Sequence, residues 1–146
     1  MNAIRVLADT NVISYTMRGG RLAQLYEPHL KGRLVAISFI TVGEFYYGAE
    51  KARWGNDKRL RLETTLKNFL VIPYDHEIAG TYGRIVAGSE KLGRPISLGD
   101  AWIAACAVRH GLPLVTHNAE HFKGVETLQV ISESEAAEPH GPQSTS

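Results

Sequence analysis

A chain of 146 residues, 44% hydrophobic and 21% charged, has the length and balance of one globular domain with a single core. Its formal net charge of +1 excludes a surface built throughout for a polyanion, so any nucleic-acid contact must be local. The lone cysteine, Cys106, excludes an internal disulfide, and no apolar run reaches the roughly 18 residues needed to cross a bilayer. The start meets Asp9 before any long apolar stretch, unlike a signal peptide, so the expected setting is the cytoplasm, with no membrane partner.

Ile4 to Ala8 is a short apolar run of strand type. Thr10 and Asn11 are cap types opening a helix with Val12, Ile13 and Tyr15, which Gly19-Gly20 breaks. Leu22, Leu25, Tyr26 and Leu30 recur at helical spacing up to Gly32, and Leu34-Val35-Ala36-Ile37 is the second strand. A longer helix is expected from Thr41 to near Gly55, then another from Asp57 to Lys67. Phe69 to Ile72 is the third strand, Asp75 to Leu92 a helix, and Asp100 to His110 an apolar helix stopped by Gly111. Leu114-Val115-Thr116 and Leu128 to Ile131 complete the strands. This alternation predicts right-handed crossovers and a three-layer α/β/α sandwich, with a central, mostly parallel sheet of four to five strands over residues 1–131. From Ser132 the chain is rich in Ser, Glu, Pro and Gly, and residues 132–146 are expected to be a disordered tail.

Three acids stand where apolar runs give way to helices: Asp9 after the first strand, Glu44 in the helix after the second, and Asp100 opening the helix before the fourth. Asn118 follows the fourth strand. Ligands of open parallel sheets bind beyond the carboxyl ends of the strands, so all four can face one pocket. Each acid also has a plain structural reading. Asp9 can cap a helix, Thr41-Val42-Gly43-Glu44 has the form of a capping box, and Ser97-Leu98-Gly99-Asp100 nearly repeats it. What favours a site is the coincidence of three such acids. Clustered carboxylates repel a phosphodiester unless a hard divalent cation reverses the field, and oxygen ligands with retained waters suit Mg²⁺, with Mn²⁺ as substitute.

Four segments carry a resemblance: Leu7 to Ser14, Thr41 to Gly48, Leu98 to Ala105 and Leu114 to Phe122. Each is weak alone, but in this order they make the chain, from about residue 4 to residue 131, similar to PIN-domain ribonucleases and more closely to VapC-type toxins of bacterial toxin–antitoxin pairs. The resemblance implies metal-dependent cleavage of RNA, transfer RNA among the substrates. Asp9 and Asp100 would be the metal ligands, Glu44 would act directly or through water, and Thr10, Asn11 and Thr116 would support the site. The family's fourth acidic position falls on Asn118, which implies one firmly held cation, with a second joining with substrate; Glu120 is the nearest acid able to compensate. It further implies a homodimer and a small VapB-type antitoxin, one of whose basic residues would pair with the acids and displace the metal. The alternative is a catalytically silent module that binds RNA or protein.

Other signals are weaker. Cys106, His110, His117 and His121 superficially have zinc-site spacing, but the cysteine lies in an apolar helix and the histidines flank a loop, so ordinary structural roles are expected. Lys51, Arg53, Lys58, Arg59, Arg61 and Lys67 outweigh Asp57 and Glu63, a local excess of +4 that reads equally well as a solvated face or an RNA-phosphate contact. Trp54 beside them can stack on a base or pack on the domain. Tyr46 and Tyr47 are expected in the core or at a partner interface rather than on RNA.

Overall fold

In the computed structural model, which describes residues 4–134, short strands and helices alternate along the chain. In order they are β1 (Arg5–Ala8), α1 (Thr10–Arg18), α2 (Arg21–Leu30), β2 (Leu34–Ser38), α3 (Phe39–Lys51), α4 (Asn56–Leu66), β3 (Leu70–Ile72), α5 (His76–Lys91), α6 (Leu98–His110), β4 (Leu114–Val115) and β5 (Val130–Ile131). A single 3₁₀ turn, Ala119–Phe122, lies between the last two strands. The five strands form one sheet in the order β3-β2-β1-β4-β5, every neighbouring pair parallel.

Side chains alternate across the sheet as strand geometry requires, and each face buries its own core. Leu7, Ala36 and Leu114 face a layer with Ile78 and Ile85 of α5 and Ile103 of α6. Val6, Ala8, Val35, Ile37 and Val115 face the other, with Val12 and Ile13 of α1, Tyr26 of α2 and Leu62 of α4. This is the expected three-layer sandwich.

The chain crosses from β3 at one edge to β4 on the far side of β1, so the strand order reverses between β1 and β4. At such a switch point the helices leave in opposite directions and a crevice opens beyond the strand ends. Asp9 follows β1 and Thr116 follows β4, and the Asp9 N–H donates to Val115 O at 2.9 Å.

Several boundaries differ from expectation for definable reasons. α3 starts at Phe39 because Ser38 Oγ accepts the Ile40 N–H at 3.1 Å, making Ser38 and not Thr41 the cap. It ends at Lys51, well short of Gly55, where Arg53 takes φ +56° and the Trp54 N–H turns back to Ala49 O. α6 begins at Leu98 because Ser97 is its cap, and Gly111 ends it in the left-handed conformation. The start of the supposed tail is held: the Glu133 N–H donates to Tyr26 Oη at 3.0 Å, and its carboxylate lies 2.6 Å from His29 Nε2. The rest of that tail, from residue 135, lies outside the described residues. Among those described, no helix is long and apolar enough to cross a membrane.

Candidate active site

Asp9, Thr10, Asn11, Glu44, Asp100 and Asn118 line one open pocket of about 550 Å³ at the switch point. Thr116 sits beneath it, fully buried. Every residue proposed for the site from sequence therefore comes together there.

Asp9 is the most constrained. It is 4% exposed and caps α1, with Oδ1 accepting the Thr10 N–H at 2.7 Å. Oδ2 accepts the Thr116 hydroxyl at 2.6 Å, and Thr116 Oγ1 in turn accepts the Asn118 N–H at 3.0 Å. Burial pushes the Asp9 pKa up from 3.8 to about 6, the two hydrogen bonds oppose that, and the Asp100 and Glu44 charges add to it. The Asp100 and Glu44 contributions identify the three carboxylates as one electrostatic group. Capping and site membership coexist in one side chain.

Glu44 does not close a capping box. Thr41, inside α3 and fully buried, bonds to Thr10 Oγ1 at 2.8 Å, and Thr10 Oγ1 gives its proton to Glu44 Oε1 at 2.5 Å. Thr10 has one hydroxyl proton, so Thr41 must donate to it. The resulting relay, Thr41 to Thr10 to Glu44, fixes the carboxylate across two elements. Gly99 makes room for it: a β-carbon there would stand 3.1 Å from Glu44 Oε2. The N–H of Asp100 reaches Ser97 Oγ at 3.3 Å, so the second capping motif is realised in its forward half.

His121 was not foreseen. Its Nδ1 lies 3.1 Å from Asp100 Oδ2, and it lines the pocket. Its only signal in the sequence is a position one 3₁₀ turn beyond Asn118, with nothing local to point to Asp100. Glu120, in contrast, turns away to Lys123 at 2.8 Å and does not replace the missing fourth acid. The other candidate zinc donors disperse: Cys106 Sγ meets Ser38 Oγ at 3.3 Å, His117 Nδ1 meets Tyr26 Oη at 2.6 Å, and His110 lines a different cavity. The loop carrying Asn118 is further held by the His117 N–H on Asn11 Oδ1 at 3.4 Å.

Among the described residues, no three or more His, Cys, Asp or Glu side chains are gathered closely enough to enclose a metal ion by themselves. The donors around this open pocket are mainly carboxylate, amide and hydroxyl oxygens, with the His121 imidazole beside Asp100. That set fits a hard cation held by one or two carboxylates and keeping several of its waters, the habit of Mg²⁺. It does not fit a closed tetrahedral zinc site.

Residues 6–128 match the PIN domain family. The chain is 32% identical over 126 residues to the ribonuclease VapC2 of Haemophilus influenzae, covering 86% of this chain and 96% of that one. It is 29% identical to the tRNA(fMet)-specific endonuclease VapC of Shigella flexneri, over the same shares of the two chains. Among solved structures, a DNA-bound VapBC complex of Salmonella typhimurium superposes with a TM-score of 0.77 at 27% identity, covering 88% of this chain and 98% of that one. The match runs through β1, α3, α6 and β4, the elements that bring Asp9, Glu44, Asp100 and Asn118 together, and the chain belongs to the PIN-domain family, among its VapC-type members.

Proposed function

We propose that this protein is the toxic half of a toxin–antitoxin pair, a Mg²⁺-dependent endoribonuclease restrained by a VapB-type antitoxin. The observation that carries this reading is the convergence of Asp9, Glu44, Asp100 and Asn118 in one pocket at the switch point. The names of its relatives as ribonucleases, and their solved complexes with antitoxins, support it. Among those names is a transfer-RNA-specific endonuclease, so transfer RNA is the first substrate to test.

In this reading Asp9 and Asp100 hold the cation. When bound, it offsets the negative charge of the phosphodiester and lowers the pKa of a water for attack. Asp9 is locked by its two hydrogen bonds and cannot swing away as charge accumulates. Glu44, fixed by Thr10 yet exposed, accepts a proton or a water at the mouth of the pocket. Asn118 offers amide hydrogen bonds to a phosphate oxygen without adding a fourth negative charge.

Substitution Asp100→Asn is expected to cut Mg²⁺-dependent cleavage of total RNA by about 100-fold or more with the fold intact. In cells, the wild-type chain expressed without its antitoxin should arrest growth, and the substituted chain should not. Undiminished cleavage by folded Asp100→Asn protein would refute the assignment of Asp100, and harmless expression of soluble, folded wild type would favour the silent-module alternative. Sequencing the cleaved ends identifies the RNA.

A further inference from the structure

One face of α3 starts in the pocket and leaves it. Glu44, Tyr47 and Lys51 are spaced three and four residues apart, so they line up along the helix, each about one turn of roughly 5.4 Å beyond the last. Tyr47 is 65% exposed and lines the acidic pocket, so it does not pack in the core. The Lys51 ammonium lies 5.8 Å from the centre of its ring. Past the end of α3 the motif repeats: Lys58 Nζ lies 5.0 Å from the centre of the half-buried Trp54 ring. The intervening Arg53 is exposed.

Not every cation in this stretch is available. The guanidinium of Arg59 donates to Ala49 O, Trp54 O and the Glu50 carboxylate, ending α3 and neutralising Glu50. This removes the acid nearest Lys51 on the α3 side. What remains is a band of exposed lysines interleaved with aromatic rings, continuous with a pocket of opposite charge.

We infer that a single-stranded RNA segment leaves the acidic pocket across Tyr47 and runs along α3 toward Lys58, a base against the Tyr47 ring and its phosphates at Lys51 and Lys58. The inference rests on the ribonuclease reading and specifies its substrate: the nucleotide beside the scissile bond must be unpaired. Tyr47, 65% exposed with Lys51 over its ring, can offer a face to any base, which gives affinity without sequence choice, whereas Trp54 packs on the domain core and positions Lys58. Paired RNA has no free base to offer Tyr47. The carboxylates repel a phosphate at the pocket, so cations along the exit must supply the hold that the pocket withholds.

The test uses a fluorescent single-stranded oligouridylate and the same strand annealed to oligoadenylate, bound in a chelator across a salt series and cleaved in Mg²⁺. Tyr47→Ala should weaken single-strand binding about tenfold, leave duplex binding unchanged, and raise KM with little effect on kcat; Tyr47→Phe should restore it. Lys51→Ala and Lys58→Ala should each reduce the steepness of log affinity against log salt by about 0.7. All these side chains are exposed or half-buried, and circular dichroism verifies that the variants fold. Wild type that binds and cleaves RNA, with variants indistinguishable from it, would overturn the track and leave the nuclease reading standing. Wild type that neither binds nor cleaves any RNA would overturn both. Variants that keep RNA affinity and salt slope but lose their hold on the antitoxin would make this a protein-docking face and overturn the proposal.

Discussion

At the scale of single residues, Asp9 embodies a conflict between stability and use. Its folded pKa of about 6 stands above the ordinary 3.8, so the folded, metal-free protein holds a proton there more tightly than the unfolded chain does. The stabilisation from that proton is complete below about pH 4 and is lost as pH rises through 6. A shift of about two units corresponds to about 3 kcal/mol at most. In a chelator, Asp9→Asn is therefore expected to be more stable than wild type at pH 8 by up to about that amount, with the advantage vanishing near pH 4. Thermal unfolding of the two proteins across pH measures it; parallel profiles would show that Asp9 carries no such cost. A neutral amide accepts the Thr10 N–H as the carboxylate does, and toward Thr116 its N–H donates where the carboxylate accepted, so the gain is an upper bound. On the reading proposed above, a bound cation would offset this cost at neutral pH.

At the scale of elements, the loop after β4 is held from behind by α2. The buried Tyr26 hydroxyl takes the N–H of Glu133 and faces His117 Nδ1 at 2.6 Å, and the His117 ring stands edge-on to both Tyr15 and Tyr26. His117 lies between Thr116, which holds Asp9, and Asn118 of the pocket. Tyr26→Phe leaves buried partners unpaired and should cost about 1–3 kcal/mol. Truncation after Ile131, removing Glu133, should reproduce part of that loss; equal melting temperatures for full-length and truncated chains would show the contact to be idle. Glu133, assigned to the tail from composition, thus contacts the folded domain through Tyr26 and His29.

The same elements show what a sequence can and cannot reveal. All five strands and all six helices were visible from apolar periodicity, because strand and helix periods differ and Gly19-Gly20, Pro73 and Gly111 mark breaks. Asp9, Glu44, Asp100 and Asn118 were legible because they stand at strand–helix junctions. The start of α3 was misplaced because Ser38 and Thr41 are both capping types. Ser38 caps through the Ile40 N–H, while the Thr41 hydroxyl is turned to Thr10, 31 positions away. His121 escaped for the same reason, its partner Asp100 lying 21 positions away.

At the scale of the whole molecule, β3 is a free sheet edge with apolar cover. Leu70 is 53% exposed and Val71 and Leu34 are each 40% exposed, around a shallow cavity that Pro73 and Leu112 also line. Exposed apolar side chains on a free edge make this face the candidate surface for the expected homodimer. Light scattering should give twice the mass of one chain, and Leu70→Lys, with no buried contact to lose, should halve it. A monomeric wild type would refute the dimer without touching the site.

The strand order has a last consequence. Asp9 takes its place in the pocket only when β4 is laid against β1, and the hydroxyl that holds it belongs to Thr116, 107 positions later. Domains emerge from the ribosome N-terminus first, and contacts this distant form only after the intervening chain is made. A nascent chain therefore carries its acids scattered and harmless until nearly all of it has been translated. On the ribonuclease reading proposed above, cleavage could then begin only once nearly the whole chain has been made.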